Sequence, residues 1–264
     1  MANKPIIRWA GSKRKLLPIL TENLPKSYTR YIEPFCGSAC LFFEASPAKA
    51  ILSDINLELI NAFKEIKSNK HFRDELVEMP VSQKEYYRVR NLDVNDLSKK
   101  ERAIRFMYLN RYCFNGVYRT NQGGHFNVPM GTKTGSFPPQ SIFDETRRKL
   151  RKARLVSCDY KKTLEIVEKG DFAYIDPPYS KANKFTGEYG LGSFNSNELP
   201  LLFEQLSEID SRKAKFLLSY RACAKSQREL SKNYNVISLS VKRHIAGFKT
   251  TWSDCNEILV KNYD

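Results

Sequence analysis

Short apolar runs alternate with helical patterns along most of this chain, and this alternation limits its fold more than any other feature. The runs are rich in β-branched and aromatic residues, as strands buried on both faces are. They read YIE at 31–33, AIL at 50–52, FAYI at 172–175, KFLLSY at 215–220, NVISLSV at 235–241 and NEILVKNY at 256–263. The alternating pattern resumes near Leu155 after the middle of the chain. This order predicts a parallel sheet covered by helices. The last two runs are too close for a crossover helix, so we expect an antiparallel hairpin at the sheet edge.

The composition changes between residues 61 and 150, where charged helical segments contain few β-branched residues. Residues 98–112 place apolar side chains at helical spacing. Residues 113–131 combine Asn-Gly, Gly-Gly and Pro turn signals with short aromatic runs, which predicts a hairpin or an ordered loop. We therefore predict an α/β domain formed by 1–60 and 151–264, with a mainly helical lobe, 61–150, inserted into it.

The charge balance indicates the kind of partner. Lys and Arg number 44 against 29 Asp and Glu, a formal net charge of +15, which favours a polyanion, either nucleic acid or an anionic membrane surface. No apolar run reaches the roughly 18 to 20 residues of a transmembrane helix, and the N-terminus lacks a signal-peptide pattern. We expect a soluble cytoplasmic protein that binds nucleic acid and no membrane.

Cysteine and histidine spacing argues against a metal site. The six cysteines include no C-x-x-C pair, and the three histidines are far apart, unlike zinc ligands. We expect free thiols in a reducing compartment and no metal.

Two stretches offer groups that could hold a nucleoside cofactor. IEPFCGSAC at 32–40 is a turn of small residues, and Asp54 ends the next apolar run, where a carboxylate can accept both ribose hydroxyls. RWAGSKRK at 8–15 adds a flat ring in Trp9 and a cation in Lys13. The alternatives are an ordinary turn with Asp54 as a helix cap and a solvated basic N-terminus.

The run FAYI ends in DPPY at 176–179, where the prolines stop the strand because neither can donate a ladder hydrogen bond. Asp176 and the Pro177 carbonyl are acceptors that can hold an amino group, and Tyr179 is a plane on which a base can stack. Acceptors and an aromatic face are what an extruded adenine needs. A turn that merely stops a strand is the alternative.

The motifs, taken together, resemble those of the Dam-type (α-class) DNA adenine-N6 methyltransferases of the D12 class. They are RWAGSK, then IEPFCGSACLF followed by ILSDIN, then LNRYCFNGVYRTNQGGHFNVPMG, and finally YIDPPYS. Their order and intervals match the family from Ile7 to Tyr263. The resemblance implies a Rossmann-like S-adenosylmethionine-dependent methyltransferase fold with a mixed seven-stranded sheet and an inserted target-recognition lobe.

Carried over position by position, the resemblance implies roles for individual residues. The cofactor contacts fall on Trp9, Lys13, Phe35, Gly37, Asp54, Asp159 and Asp176. The catalytic positions fall on Asp176, Pro177 and Tyr179. The DNA contacts fall on Arg8, Phe114, Asn115, Val117, Arg119, Asn121 and Lys133, with Arg119 suited to a guanine edge. The family usually has a second glycine where this chain has Ala39, so we expect a slightly different turn.

The implied reaction moves a methyl group from S-adenosylmethionine to N6 of an adenine flipped out of double-stranded DNA. The target would be GATC or a related short site, although GTKTGSFPPQ at 131–140 departs from the enzymes that modify GATC. We expect a monomer in solution, or two copies bound together on a palindromic site. Two different functions stay open, namely methylation of cytosine N4 or of RNA by the same fold, and DNA binding without catalysis.

Two charged stretches have open roles. Residues 180–195 form either a loop that closes over the flipped base or a plain surface loop. The basic run at 147–152, together with Arg105, Arg111, Arg119 and Lys133, either follows DNA phosphates or is a solvated face.

Overall fold

A computed structural model describes residues 5–121, 123–132, 134–178, 198–221, 224–241 and 255–264. Within them lies a seven-stranded sheet. The strands are β1 (Tyr31–Glu33), β2 (Ala50–Asp54), β3 (Ala153–Ser157), β4 (Phe172–Ile175), β5 (Lys215–Arg221), β6 (Asn235–Val241) and β7 (Cys255–Lys261).

The sheet order is β3-β2-β1-β4-β5-β7-β6. The five strands from β3 to β5 are parallel, and β7 runs antiparallel to both β5 and β6. The predicted mixed sheet with an antiparallel pair at one edge is therefore confirmed.

Helices cover both faces of the sheet. In the described residues they are α1 (Leu17–Glu22), α2 (Cys40–Ala45), α3 (Leu57–Ser68), α4 (Phe72–Glu78), α5 (Gln83–Arg90), α6 (Lys99–Tyr112), α7 (Gln140–Leu150), α8 (Tyr160–Glu165), α9 (Glu198–Ser211) and α10 (Ala224–Leu230). Short 3-10 helices span Lys13–Leu16, Val94–Asp96 and Phe114–Gly116.

The central strands β1, β2 and β4 are buried on both faces, as their apolar runs predict, whereas the edge strands β3 and β6 are only partly buried. Tyr31, Phe172 and Leu217 belong to one apolar cluster, whereas Ile32 and Ala173, the next residues along β1 and β4, belong to another. This alternation follows from the period of two in a strand. The central strands thus form a stiff support for whatever follows their carboxyl ends.

The lobe shares its core with the sheet. The cluster that contains Tyr31 continues through Phe63 of α3 to Phe106 and Tyr108 of α6. Helix α6 begins where the sequence predicts, because Ser98 and Glu101 form a capping box. The predicted domain boundary at 60/61 falls inside α3, and the division into two units stays a prediction.

Among the residues that the structure describes, no helix is both long and apolar enough to cross a membrane.

Candidate active site

The carboxyl ends of the parallel strands open into a cavity of about 310 Å³. All seven predicted cofactor residues line it: Trp9, Lys13, Phe35, Gly37, Asp54, Asp159 and Asp176. The fold therefore brings together positions that are scattered through the sequence, at the edge where open α/β sheets bind ligands. Their roles in binding stay a prediction.

The turn between β1 and α2 is shaped by Gly37. Its φ is +46°, and a Cβ atom added there would lie 2.6 Å from Cδ1 of Trp9. The Trp9 ring therefore lies directly on the backbone of the turn. Ala39, where the family usually has a second glycine, also adopts a left-handed conformation, with φ 51°, which a glycine adopts without a steric cost.

Asp54 lies at the end of β2, where it is 9 % exposed. Its Oδ2 accepts a hydrogen bond from the Gly37 amide (3.0 Å), and its Oδ1 accepts one from the Asn56 amide (2.9 Å). Burial raises the pKa of Asp54 to about 6, and these amides act in the opposite direction. The side chain that caps α3 is that of Asn56, which accepts from Leu59 at 3.0 Å. Asp54 is thus not the helix cap and faces the cavity.

Asp176 follows β4 directly and forms an ion pair with Lys13. The Lys13 side chain is 4 % exposed and that of Asp176 is 17 % exposed, so the pair is largely shielded from water. Pro177 and Pro178 also line the cavity. Tyr179, the predicted stacking residue, lies outside the described residues.

The floor of the cavity is polar and buried. Glu33 is 3 % exposed and accepts a hydrogen bond from the Tyr31 hydroxyl at 2.8 Å. Burial raises the pKa of Glu33 well above its usual range, which favours its neutral form. Burial also raises the pKa of the Cys40 thiol to about 12, so this thiol is not a nucleophile at neutral pH.

Sequence reasoning missed a cluster at the rim of the cavity. The Tyr160 ring stacks on Phe35 with 4.9 Å between centroids, and its hydroxyl donates to Glu198 Oε2 at 3.0 Å. Lys161 pairs with the same carboxylate at 2.9 Å. The position of Tyr160 beside Asp159 was a signal that could have found it. Glu198 carries no such signal, because only the fold brings α9 to α8.

The predicted hairpin or ordered loop at 113–131, here called the recognition segment, is present as an ordered loop. Antiparallel bridges join Cys113 to Met130 and Thr120 to Phe126. Asn121 also donates a backbone hydrogen bond to the His125 carbonyl at 2.9 Å. These contacts fold the segment back on itself across its Gly-rich tip.

Most of the predicted DNA contacts lie on the surface of the recognition segment. Phe114 is 48 % exposed, Asn115, Arg119 and Asn121 are exposed, and Val117 is half-buried. Arg119 is oriented by one hydrogen bond, from its Nε to Asn127 Oδ1 at 3.0 Å. Lys133 lies outside the described residues. The described side chains, apart from Val117, are open to solvent, and their contacts with DNA stay a prediction.

Arg8 is the exception among these candidates. Its guanidinium donates to the carbonyl oxygens of Arg111 at 3.2 Å and Thr134 at 2.7 Å, so in this structure its donors face the backbone of the protein.

Among the described cations that were proposed to follow phosphates, Arg105 and Lys149 are tied to backbone carbonyls of the protein. Arg105 donates to the carbonyls of Val89 and Arg90 at 3.0 and 2.7 Å. Lys149 donates to the Phe43 carbonyl at 2.6 Å. The basic run at 147–152 leads into the start of β3, at the end of the strands opposite the cavity.

The part of the chain that the structure describes contains no group of three or more His, Cys, Asp or Glu side chains arranged to hold a metal ion.

The sheet order, the antiparallel strand β7 between β5 and β6, and the cavity at the carboxyl ends of the strands define a Rossmann-like methyltransferase fold. The family model of the D12 class N6 adenine-specific DNA methyltransferases matches residues 9–245. The chain belongs to this family.

Curated relatives agree with this assignment. The chain is 32% identical to the Type II methyltransferase M1.LlaDCHI of Lactococcus lactis subsp. cremoris, over 98% of this chain and 95% of the relative. It is 31% identical to the Type II methyltransferase M.MjaIII of Methanocaldococcus jannaschii, over the whole of both chains. It is 32% identical to the DNA adenine methylase of Haemophilus influenzae, over 93% of this chain and 89% of the relative.

Proposed function

We propose that this protein transfers a methyl group from S-adenosylmethionine to N6 of an adenine flipped out of double-stranded DNA, at GATC or a related short site. The observation that carries the proposal is the position of Asp176 in the same cavity as Asp54. Asp176 can accept hydrogen bonds from an amino group, and Asp54 can accept them from the hydroxyls of a ribose.

The residues of the cavity fit the cofactor. Each Asp54 oxygen accepts one amide hydrogen bond, and a carboxylate has about four acceptor sites, which leaves capacity for both ribose hydroxyls. Phe35 and Tyr160 offer aromatic surface beside Asp159. The Trp9 ring leaves no space for a side chain at Gly37. When bound, the cofactor supplies a methyl group on an electrophilic sulfonium.

Asp176 and the Pro177 carbonyl would position the adenine amino group. Both are acceptors, so hydrogen bonds from the amino group would free its nitrogen lone pair from the ring and aim it. Lys13 fixes the orientation of the Asp176 carboxylate through the buried ion pair. Such positioning lowers a barrier by several kcal/mol without strong base catalysis. The proton can leave after methylation, to Asp176 or to water.

A paired adenine cannot present its amino group to this cavity, so the base must leave the stack at a cost of a few kcal/mol. Contacts from the recognition segment and stacking by Tyr179 would offset this cost. Arg119, exposed and held by Asn127, has its remaining guanidinium donors available for a guanine edge.

The first test is methylation of unmethylated genomic DNA, read by nucleoside mass spectrometry and by sequencing of the modified sites. Asp176→Ala should abolish N6-methyladenine while retaining part of the affinity for sinefungin, a non-reactive cofactor analogue. The matched control is Asp144→Ala, which removes a half-exposed carboxylate on α7 and should leave the rate unchanged. Undiminished methylation by Asp176→Ala, or product found only on cytosine or RNA, would contradict the proposal.

The second test concerns the target. Arg119→Ala should weaken or relax recognition by about 1 to 3 kcal/mol at one base position. Arg148→Ala, which removes an exposed cation of the basic run, should leave the site preference intact. An unchanged preference in Arg119→Ala would assign recognition to other residues.

A further inference from the structure

The N-terminal stretch that supplies Trp9 to the cavity is held by a residue of the lobe. Asn110, in the last turn of α6, is 2 % exposed. Its Oδ1 accepts from the Arg8 amide at 2.9 Å, and its Nδ2 donates to the Arg8 carbonyl at 2.7 Å. The side chain therefore satisfies both backbone groups of Arg8, as a neighbouring strand would. We call this pair of bonds the Asn110 clamp.

The Arg8 side chain continues from the clamp into the lobe. It bonds to the carbonyls of Arg111 and Thr134, which flank the two ends of the recognition segment. A Cβ atom on Gly116 would lie 2.3 Å from Arg8 Cδ, so the recognition segment lies directly against this side chain. Movement of either one requires movement of the other.

A second connection runs from the next residue. The Trp9 ring stacks on Tyr118 of the recognition segment, with 5.6 Å between centroids and 21° between planes. The Tyr118 hydroxyl interacts with the Asn56 side chain, and the Asn56 amide donates to Asp54. Two routes thus join the recognition segment to residues that line the cavity.

We propose that Asn110 is a positioning residue that makes the cofactor cavity and the recognition segment one cooperative unit. The inference rests on the proposed function, because it concerns the cofactor and the DNA of that reaction. Whichever ligand binds first fixes the stretch that both sites share, so the second ligand binds to a part of the protein that is already ordered. By linkage, each ligand must raise the affinity for the other by the same factor.

The test measures this factor directly. Calorimetry would give the Kd of sinefungin for the full-length protein, alone and with a saturating unmethylated duplex that carries the mapped target, at one fixed salt concentration. For the unaltered protein we expect the duplex to lower the Kd at least about fivefold, the low end of typical couplings. Asn110→Ala should bring the ratio of the two Kd values closer to one, because it removes one of the two routes that join the sites.

A matched control separates coupling from stability. Asn61 is also a buried asparagine, and its Nδ2 donates to the Lys99 carbonyl at 2.6 Å, away from the clamp. Asn61→Ala should lower the unfolding temperature and keep the ratio. If Asn110→Ala does not fold, Arg8→Met provides the second variant, because it retains the aliphatic stem and loses the bonds to the lobe; its ratio should also fall.

The outcomes are distinct. A ratio near one in the unaltered protein, or an unchanged ratio in folded Asn110→Ala or Arg8→Met, overturns the inference. Failure of the unaltered protein to bind sinefungin or to methylate DNA would instead overturn the proposed function.

Discussion

Replacing Gly37 by alanine should weaken cofactor binding and destabilise the fold, because the new methyl group has no space. Its Cβ would lie 2.6, 3.0 and 3.3 Å from three atoms of the Trp9 ring. The ring cannot simply withdraw, since Tyr118 stacks on it. The backbone φ of +46° adds a steric cost for any residue with a Cβ.

The magnitude follows from these two terms. Left-handed conformation costs an alanine about 1 to 2 kcal/mol, and overpacking against a fixed ring costs about 1 to 3 kcal/mol. Alanine also restricts the unfolded chain more than glycine does, which favours the folded state by about 0.4 to 1 kcal/mol. We therefore expect a net loss of about 1 to 5 kcal/mol in the free energy of unfolding. Because Trp9 lines the cavity, we also expect the Kd of sinefungin to rise about tenfold or more.

Urea unfolding and calorimetry with sinefungin would measure both effects. Ala39→Gly, two residues along the same turn, is the matched control and should change stability little, because release of left-handed strain offsets the loss of a buried methyl group. The decisive measurement is Gly37→Ala in a Trp9→Ala background. In that background, Gly37→Ala should lower the free energy of unfolding only by the cost of the left-handed conformation, about 1 to 2 kcal/mol. An equal cost with and without the ring would refute the steric explanation.

Two further predictions concern buried carboxylates. The folded-state pKa of Asp54 is raised to about 6 from 3.8, so its contribution to stability is complete below pH 4 and is lost as the pH rises through 6, by about 3 kcal/mol. Cofactor affinity should rise over the same pH range, because the ionised carboxylate accepts both ribose hydroxyls. Asp54→Asn should flatten the pH dependence of stability, measured by urea unfolding, and that of cofactor affinity, measured by calorimetry. Arg30→Met should cost about 3 to 5 kcal/mol in urea unfolding, because Asp171, whose side chain is 1 % exposed, would lose its partner. Arg30→Met combined with Asp171→Asn should recover part of this loss, and no recovery would contradict the ion-pair explanation.

The sheet could be predicted from the sequence because its signal is local. Strand β4 is an uninterrupted apolar run and β6 is an apolar run interrupted by two serines, and the structure reproduces their predicted bounds at 172–175 and 235–241. The cofactor-side candidates also came together in one cavity, because each lies close to the carboxyl end of a strand or on the first turn of the chain. Position along a strand is a property that sequence pattern conveys well.

Contacts across long sequence separations could not be predicted in this way. Asn110 and Arg8 are 102 positions apart. Asn110 lies at the start of the motif LNRYCFNG, but nothing in the local pattern indicates that its partner is Arg8. Glu198 meets Tyr160 only because α9 packs beside α8. The sequence offered Asp54 as a possible cap of α3, whereas Asn56 caps the helix in the structure; both residue types favour that position, so residue type alone does not decide between them.

The position of the basic run at 147–152 shows that cations clustered in the sequence need not lie at the surface that holds the candidate site. The run ends just before Ala153, where β3 begins, whereas the cavity lies beyond the other end of the strands. A strand of five residues is about 16 Å long, roughly twice the Debye length of about 8 Å at physiological salt. These cations therefore cannot contact the same phosphates as the recognition segment without the duplex passing around the sheet edge. On the proposed function, specific binding would depend on the few exposed side chains of the recognition segment, and the net charge of +15 would act as a general attraction for DNA. Neutralising Arg148 and Arg151 together should accordingly slow association at low salt and leave the specificity ratio unchanged.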